Sequence, residues 1–89
     1  MKSSEVEIIN KLGLHARAAA KLVTLCAGFS SEVQVGKPGK MVNGKSIMGI
    51  MMLAAGRGTT LTIRTEGSDE NAAHDALRAL IEDRFEEEE

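Results

Sequence analysis

The sequence predicts an α+β fold: a four-stranded antiparallel sheet with three helices on one face, in the order β-α-β-β-α-β-α. Three observations predict it. Four short segments alternate apolar and polar residues with a period of two, the signature of strands with one buried face. Two longer segments repeat apolar residues every three or four positions, the spacing of amphipathic helices. The chain has 89 residues, room for one domain and not two.

The first strand is read at Val6 and Ile8, which alternate with Glu5 and Glu7. Asn10 to Leu14 forms a loop. A helix then runs from about Ala16 to Ala27, with Ala16, Ala19, Ala20, Val23 and Ala27 as its apolar stripe and Gly28 as its stop. Val33 and Val35 mark a second strand, Gly36-Lys37-Pro38-Gly39 a turn, and Lys40-Met41-Val42 the returning strand of a hairpin. A short helix is expected from about Ser46 to Leu53, a loop at Gly56-Arg57-Gly58, and a fourth strand around Leu61 and Ile63. In the last helix Ser68 is the expected N-cap, with Asp69 and Glu70 in the positive first turn. Ala73, Ala76, Leu77, Leu80 and Ile81 form its apolar face. Residues 86–89 are four consecutive Glu, expected to fray into solvent.

Composition narrows the function classes. With two Phe, no Trp and no Tyr, the core must be aliphatic. A domain this small buries too little surface to enclose a deep cleft, so its chemistry is expected at the surface, completed by a partner. The net charge of −2 conceals an asymmetry: residues 1–64 carry nine basic side chains against three acidic, and residues 65–89 carry two against ten. The basic part favours acidic partners or phosphate groups. A single Cys26, in an apolar helical pattern, excludes an internal disulfide and reads as a small buried hydrophobe. The start of the chain holds no apolar secretory segment, and the longest apolar stretch, Ile47 to Ala55, is far short of the roughly twenty residues that cross a bilayer. A cytoplasmic protein, without membrane insertion and monomeric, is the expectation. No cofactor is called for. His74 reads as a partly solvated surface histidine, and with no Cys pair beside it no metal site is expected.

The segment that carries chemistry is Gly13-Leu14-His15-Ala16-Arg17, where loop becomes helix. Amide groups in the first turn of a helix lack intrahelical partners and the dipole is positive there, so Ala16, Arg17 and Ala18 offer backbone donors to an anion, typically phosphate. Arg17 adds a guanidinium that can grip two phosphate oxygens. The same field favours a neutral imidazole at His15, a nucleophile able to take the phosphoryl group itself. Locally, the plainer reading of His15 as a helix cap stays open. Nothing in the sequence identifies a fixed acid or base beside it. Ser46 is a good N-cap for the short helix, whose Ile47, Met48, Ile50, Met51, Met52 and Leu53 are apolar all round. One face of so short a helix can enter a core; the rest would be a flexible, polarisable surface for docking partners. Phosphorylation of Ser46 would place nearly two negative charges beside that surface.

Three segments together resemble the histidine-containing phosphocarrier protein (HPr) family of the bacterial phosphoenolpyruvate-dependent phosphotransferase system. They are Asn10-Lys11-Leu12-Gly13-Leu14-His15-Ala16-Arg17, Asn43-Gly44-Lys45-Ser46-Ile47-Met48-Gly49-Ile50-Met51, and Glu66-Gly67-Ser68-Asp69-Glu70. The resemblance implies an open-faced β-sandwich and a carrier, not an enzyme. His15 would take a phosphoryl group on Nδ1 from Enzyme I and pass it to EIIA-type acceptor proteins, with Arg17 and nearby amides holding the phosphate. Ile47, Met48, Met51 and Met52 would dock partners, and Ser46 would be the target of HPr kinase/phosphorylase. One departure stands out: the family usually has Pro after His-Ala-Arg, and here Ala18 restores an N–H and removes a rigid ring.

Two rivals remain. The chain could be mainly a nitrogen- or carbon-linked regulatory binding module controlled through Ser46, although position 15 holds His rather than Gln or Ala. It could instead bind RNA, since Gly36-Lys37-Pro38-Gly39 spells the G-x-x-G of a KH loop. That loop should join two helices, however, and two Phe give few stacking platforms, so no nucleic-acid partner is expected.

Overall fold

The computed structural model describes residues 1–87. Strands β1 (Lys2–Glu7), β2 (Glu32–Lys37), β3 (Lys40–Asn43) and β4 (Thr60–Glu66) form one sheet in the order β1-β4-β2-β3, every neighbouring pair antiparallel. Helices α1 (Ala16–Ala27), α2 (Ile47–Met52) and α3 (Glu70–Glu82) complete the expected element order, and a single turn of left-handed backbone follows at Arg84–Glu86.

Register places the core on one face. Val6 sits opposite Leu61, and Ile63 lies between Ser4 on β1 and Val35 on β2; Val6, Leu61, Ile63 and Val35 are all buried. Because side chains alternate along a strand, their neighbours Glu5, Glu7, Gln34 and Arg64 point to the opposite, exposed face. Ala18, Ala19, Leu22 and Cys26 from α1, Ile50 from α2, Leu77 and Ile81 from α3, and Phe85 close the core. The hairpin turns through Pro38 and Gly39, with Gly39 at φ +84°. The G-x-x-G segment is therefore a strand connection, not the helix–helix loop of a KH domain.

Several helical details differ from the sequence reading. On α1 the buried face is Ala18, Ala19, Leu22 and Cys26, while Ala16, Ala20 and Ala27 are exposed. Alanine carries little area to bury, so Leu22 decides which face turns inward. Gly28 ends the helix with φ −77°, an ordinary right-handed conformation that does not require glycine. On α3 the N-cap is Asp69, not Ser68, and its side chain makes no capping hydrogen bond. The Asp69 carboxylate is taken up instead by the α1–β2 loop: it accepts from the Ser30 amide (2.9 Å), the Ser30 hydroxyl (3.2 Å), the Ser31 amide (2.9 Å) and the Ser31 hydroxyl. His74, expected at the surface, is buried with 1% exposure. It falls on the Leu77/Ile81 stripe, where the Ser4 hydroxyl lies 2.6 Å from Nε2 and in turn accepts from Arg78 (3.0 Å).

Candidate functional site

The loop before α1 is shaped by two residues. Gly13 has φ +66°, and a Cβ there would lie 2.7 Å from the Ala55 carbonyl oxygen, so only glycine fits without displacing backbone. The Leu14 amide donates to that carbonyl at 2.8 Å, which ties the loop to the segment after α2. Asn10, fully buried, donates to the Gly13 carbonyl at 2.8 Å. The loop thus arrives at His15 with a fixed direction.

His15 is the N-cap of α1, with extended backbone, and its Nδ1 accepts from the Arg17 amide at 3.3 Å. The cap reading left open by the sequence is correct as geometry, and it does not exclude chemistry: a ring nitrogen that accepts from an amide presents its lone pair to the helix N-terminus. The first amide to bond back within the helix is Ala19, to the His15 carbonyl at 2.8 Å, so Ala16, Arg17 and Ala18 carry the first-turn donors. Ala18 is buried and packs in the core, while Arg17 is exposed beside the ring. The imidazole is 26% exposed, open to a donor from solvent but not free to swing.

The sequence reading left His15 without an acid or base partner. The structure supplies one from the far end of the chain: Glu87, whose carboxylate meets His15 Nε2 and also accepts from Asn10 at 2.9 Å. Burial opposes ionisation of this carboxyl, but the hydrogen bonds from Asn10 and His15 outweigh it and hold the group below the usual carboxylate range. Of the acidic tail, Glu86 and Glu87 are therefore seated, Glu86 pairing with Lys21 at 3.5 Å. Glu88 and Glu89 lie outside the described residues. Nothing near position 87 in the sequence signals this contact. Its partners are 72 and 77 residues away, and four identical Glu give no pattern from which to choose one.

Around His15 the surface forms a shallow depression of about 620 Å³, lined by Lys11, Leu12, Arg17, Lys21, Glu86 and Glu87. As expected from the chain's size, the ring lies at a surface and not in a closed cleft. Among the described residues no group of three or more His, Cys, Asp or Glu side chains could hold a metal ion.

Ser46 caps α2, its hydroxyl accepting from the Gly49 amide at 3.2 Å. Ile50 is the side chain that α2 buries fully; Met48 is 71% and Met52 65% exposed, with Ile47 and Met51 about two-fifths exposed. Leu12, beside His15, is also exposed.

A model of the PTS HPr component phosphorylation site matches residues 2–83. The chain belongs to the HPr phosphocarrier family. It is 56% identical over 85 residues to the phosphocarrier protein HPr of Cupriavidus necator, covering 96% of each chain, and 54% identical over 88 residues to that of Pseudomonas aeruginosa, covering 98% of each. Among solved structures, HPr-C-His from Thermoanaerobacter tengcongensis superposes with a TM-score of 0.96 at 49% identity over the whole of both chains. Crh of Bacillus subtilis, described as a catabolite repression protein and a swapped dimer, matches at 43% identity with a TM-score of 0.75 over 93% of this chain and 95% of that one. HPr membership gives the four-stranded open-faced sandwich its relatives and assigns the chain to phosphocarrier function in the phosphotransferase system, with partners drawn from that system. No helix among the described residues is long and apolar enough to cross a membrane.

Proposed function

We propose that His15 Nδ1 is the phosphoryl acceptor of this chain, receiving the group from Enzyme I and passing it to EIIA-type proteins. The observation that supports this most directly is the direction of the ring: Nδ1 faces the Arg17 amide at the helix N-terminus while Nε2 is occupied by Glu87. A phosphoryl group bonded to Nδ1 would sit among the first-turn amides of Ala16, Arg17 and Ala18, in the positive end of the dipole. The Arg17 guanidinium would pair with its oxygens. Ala18 contributes an N–H that a proline would lack. The chain acts as one covalent intermediate between two enzymes, in the cytoplasm, as a single domain and a monomer. With radiolabelled phosphoenolpyruvate and a catalytic amount of Enzyme I, acid-labile label is expected on the wild type and absent from His15→Ala. Equal labelling of the two would refute the assignment.

A second, regulatory output is favoured by α2. The Ser46 hydroxyl stands at the edge of an exposed Ile47/Met48/Met51/Met52 surface, and the chain is 51% identical over 82 residues to the HPr-like protein Crh of Halalkalibacterium halodurans. We read that surface as the docking face. Phosphorylation of Ser46 by an HPr kinase/phosphorylase would add charge next to it and weaken docking of acidic partners. Incubation with that kinase should modify the wild type and leave Ser46→Ala untouched.

A further inference from the structure

From the loop that leads into α1 we infer that Asn10 is a positioning residue for phosphoryl transfer: its side-chain amide holds the Gly13 peptide, and through it sets the direction of the His15 ring and of the first-turn amides. The inference deepens the reading of His15 as acceptor and rests on it.

Three observations carry it. The first is how the loop is fastened. The Leu14 amide donates to the Ala55 carbonyl at 2.8 Å, and the Leu14 side chain is buried. One residue earlier, both polar groups of Gly13 go to Asn10. The Gly13 amide donates to the Asn10 carbonyl at 3.2 Å, and the Gly13 carbonyl accepts from Asn10 Nδ2 at 2.8 Å. Residues 10–13 are thus closed into a ring that runs through one side chain.

The second is that Gly13 needs holding. Its φ of +66° and its approach to the 55–56 backbone, where a Cβ would lie 2.7 Å from the Ala55 oxygen and 2.8 Å from Gly56 Cα, demand glycine. Glycine also has the widest backbone freedom, so the residue that fits the loop leaves the next peptide free to turn. Gly13 is buried, and a buried carbonyl without a donor is relieved by rotating toward water. Asn10 Nδ2 removes that incentive. The peptide it steadies lies just ahead of His15, whose extended backbone (φ −75°, ψ 177°) brings Nδ1 to the Arg17 amide.

The third is that Asn10 serves the core poorly. It is fully buried, and among the described residues its Oδ1 has no hydrogen-bond partner. An apolar side chain of the same size would bury no such orphan. Its Nδ2, by contrast, is fully used, on the Gly13 carbonyl and on the Glu87 carboxylate at 2.9 Å. A buried amide with one end unpaired is worth more for where it points its N–H groups than for what it adds to packing. The consequence belongs to the chemical step: a shift of about 1 Å in the reacting geometry, caused from outside the reacting groups, can slow a reaction by about a hundredfold. Partner binding is spread over a wider surface and does not depend on that shift.

The test compares wild type, Asn10→Ala and Asn10→Leu, with Ile63→Val as a control that loses a methyl group from the centre of the sheet. Kinetics of phosphorylation by phospho-Enzyme I are measured beside the backbone amide spectrum. Both Asn10 variants should lose at least about tenfold in maximal rate with the half-saturating concentration unchanged, and their amide signals should move from Gly13 to Ala18. Ile63→Val should melt earlier than wild type and transfer at the wild-type rate. If folded Asn10 variants keep the rate, lose only apparent affinity, or lose no more than Ile63→Val, the inference is overturned while the carrier reading stands. Loss of rate with Gly13 and Leu14 unmoved would place the effect in the second Nδ2 contact and overturn it equally. If neither variant folds, Asn10 is a residue of stability and the inference fails. If the wild type accepts no phosphoryl group, the carrier reading fails and the inference with it, and the amide spectra still decide whether Asn10 fixes the loop.

Discussion

The two histidines of this chain sit in opposite surroundings, and each has a measurable consequence. His15 lies at a helix N-terminus with Arg17 beside it, so Arg17→Ala should slow phosphoryl transfer by about tenfold, the equivalent of one charge-assisted hydrogen bond of roughly 1.5 kcal/mol. Arg17→Lys should restore only part of it, because an ammonium cannot grip two oxygens in a plane; steady-state transfer assays check both. His74 is buried on α3, and burial, reinforced by Lys2 and Arg78, pushes its pKa below the ordinary value of 6.5. The unfolded chain therefore binds the extra proton first. Stability from this group is complete above pH 6.5 and is lost as pH falls from there through the lower folded value. Thermal melts of the wild type should show that slope, and His74→Gln should flatten it. His15 and Arg17 were legible in the sequence because helix-start chemistry is local. The burial of His74 was not, since Ala72, Ala73 and Asp75 around it hide the i, i+3, i+7 stripe that His74 shares with Leu77 and Ile81.

At the scale of elements, the order and type of all seven were readable, because each carries its own periodicity. What failed was the detail that depends on neighbours. The face of α1 could not be read from its alanines, which fit either side equally well, and the N-cap of α3 moved from Ser68 to Asp69. Asp69 has a reason to be there: it joins the start of α3 to Ser30 and Ser31. Hydrogen bonds, the Ser31 hydroxyl foremost, hold its pKa at about 2 against an ordinary 3.8. The stability it contributes is full above pH 3.8 and is lost as pH falls from there toward about 2. Asp69→Ala should lower the melting temperature at neutral pH and shrink its fall over that acid range. The α2 cap can be tested separately. Ser46→Ala should weaken that helix by about 1 kcal/mol, visible as faster amide exchange over residues 49–52, with the rest of the fold unchanged.

For the molecule as a whole, the aliphatic core read from composition is the one observed, and Phe85 is its one fully buried aromatic side chain. Cys26 lies within it, where burial pushes the thiol up to about 11, so alkylation at neutral pH should be negligible until the protein unfolds. The alkylation rate of Cys26 should then track the unfolding midpoint in denaturant; rapid labelling of the folded protein would show the core to be looser than described. The sequence also placed His15, the proposed acceptor, at a surface, and its ring lies in a shallow depression there. The seated tail is the part that only three dimensions reveal, because a chain reversal through Phe85 joins residues 72 positions apart. The central claim, that His15 Nδ1 carries the phosphoryl group, is tested most directly by ³¹P and ¹⁵N NMR of the protein phosphorylated with phosphoenolpyruvate and Enzyme I. A phosphorus–nitrogen coupling at His15 Nδ1, absent in His15→Ala, is the predicted result. Phosphorus on Nε2, or on any other residue, would contradict the account.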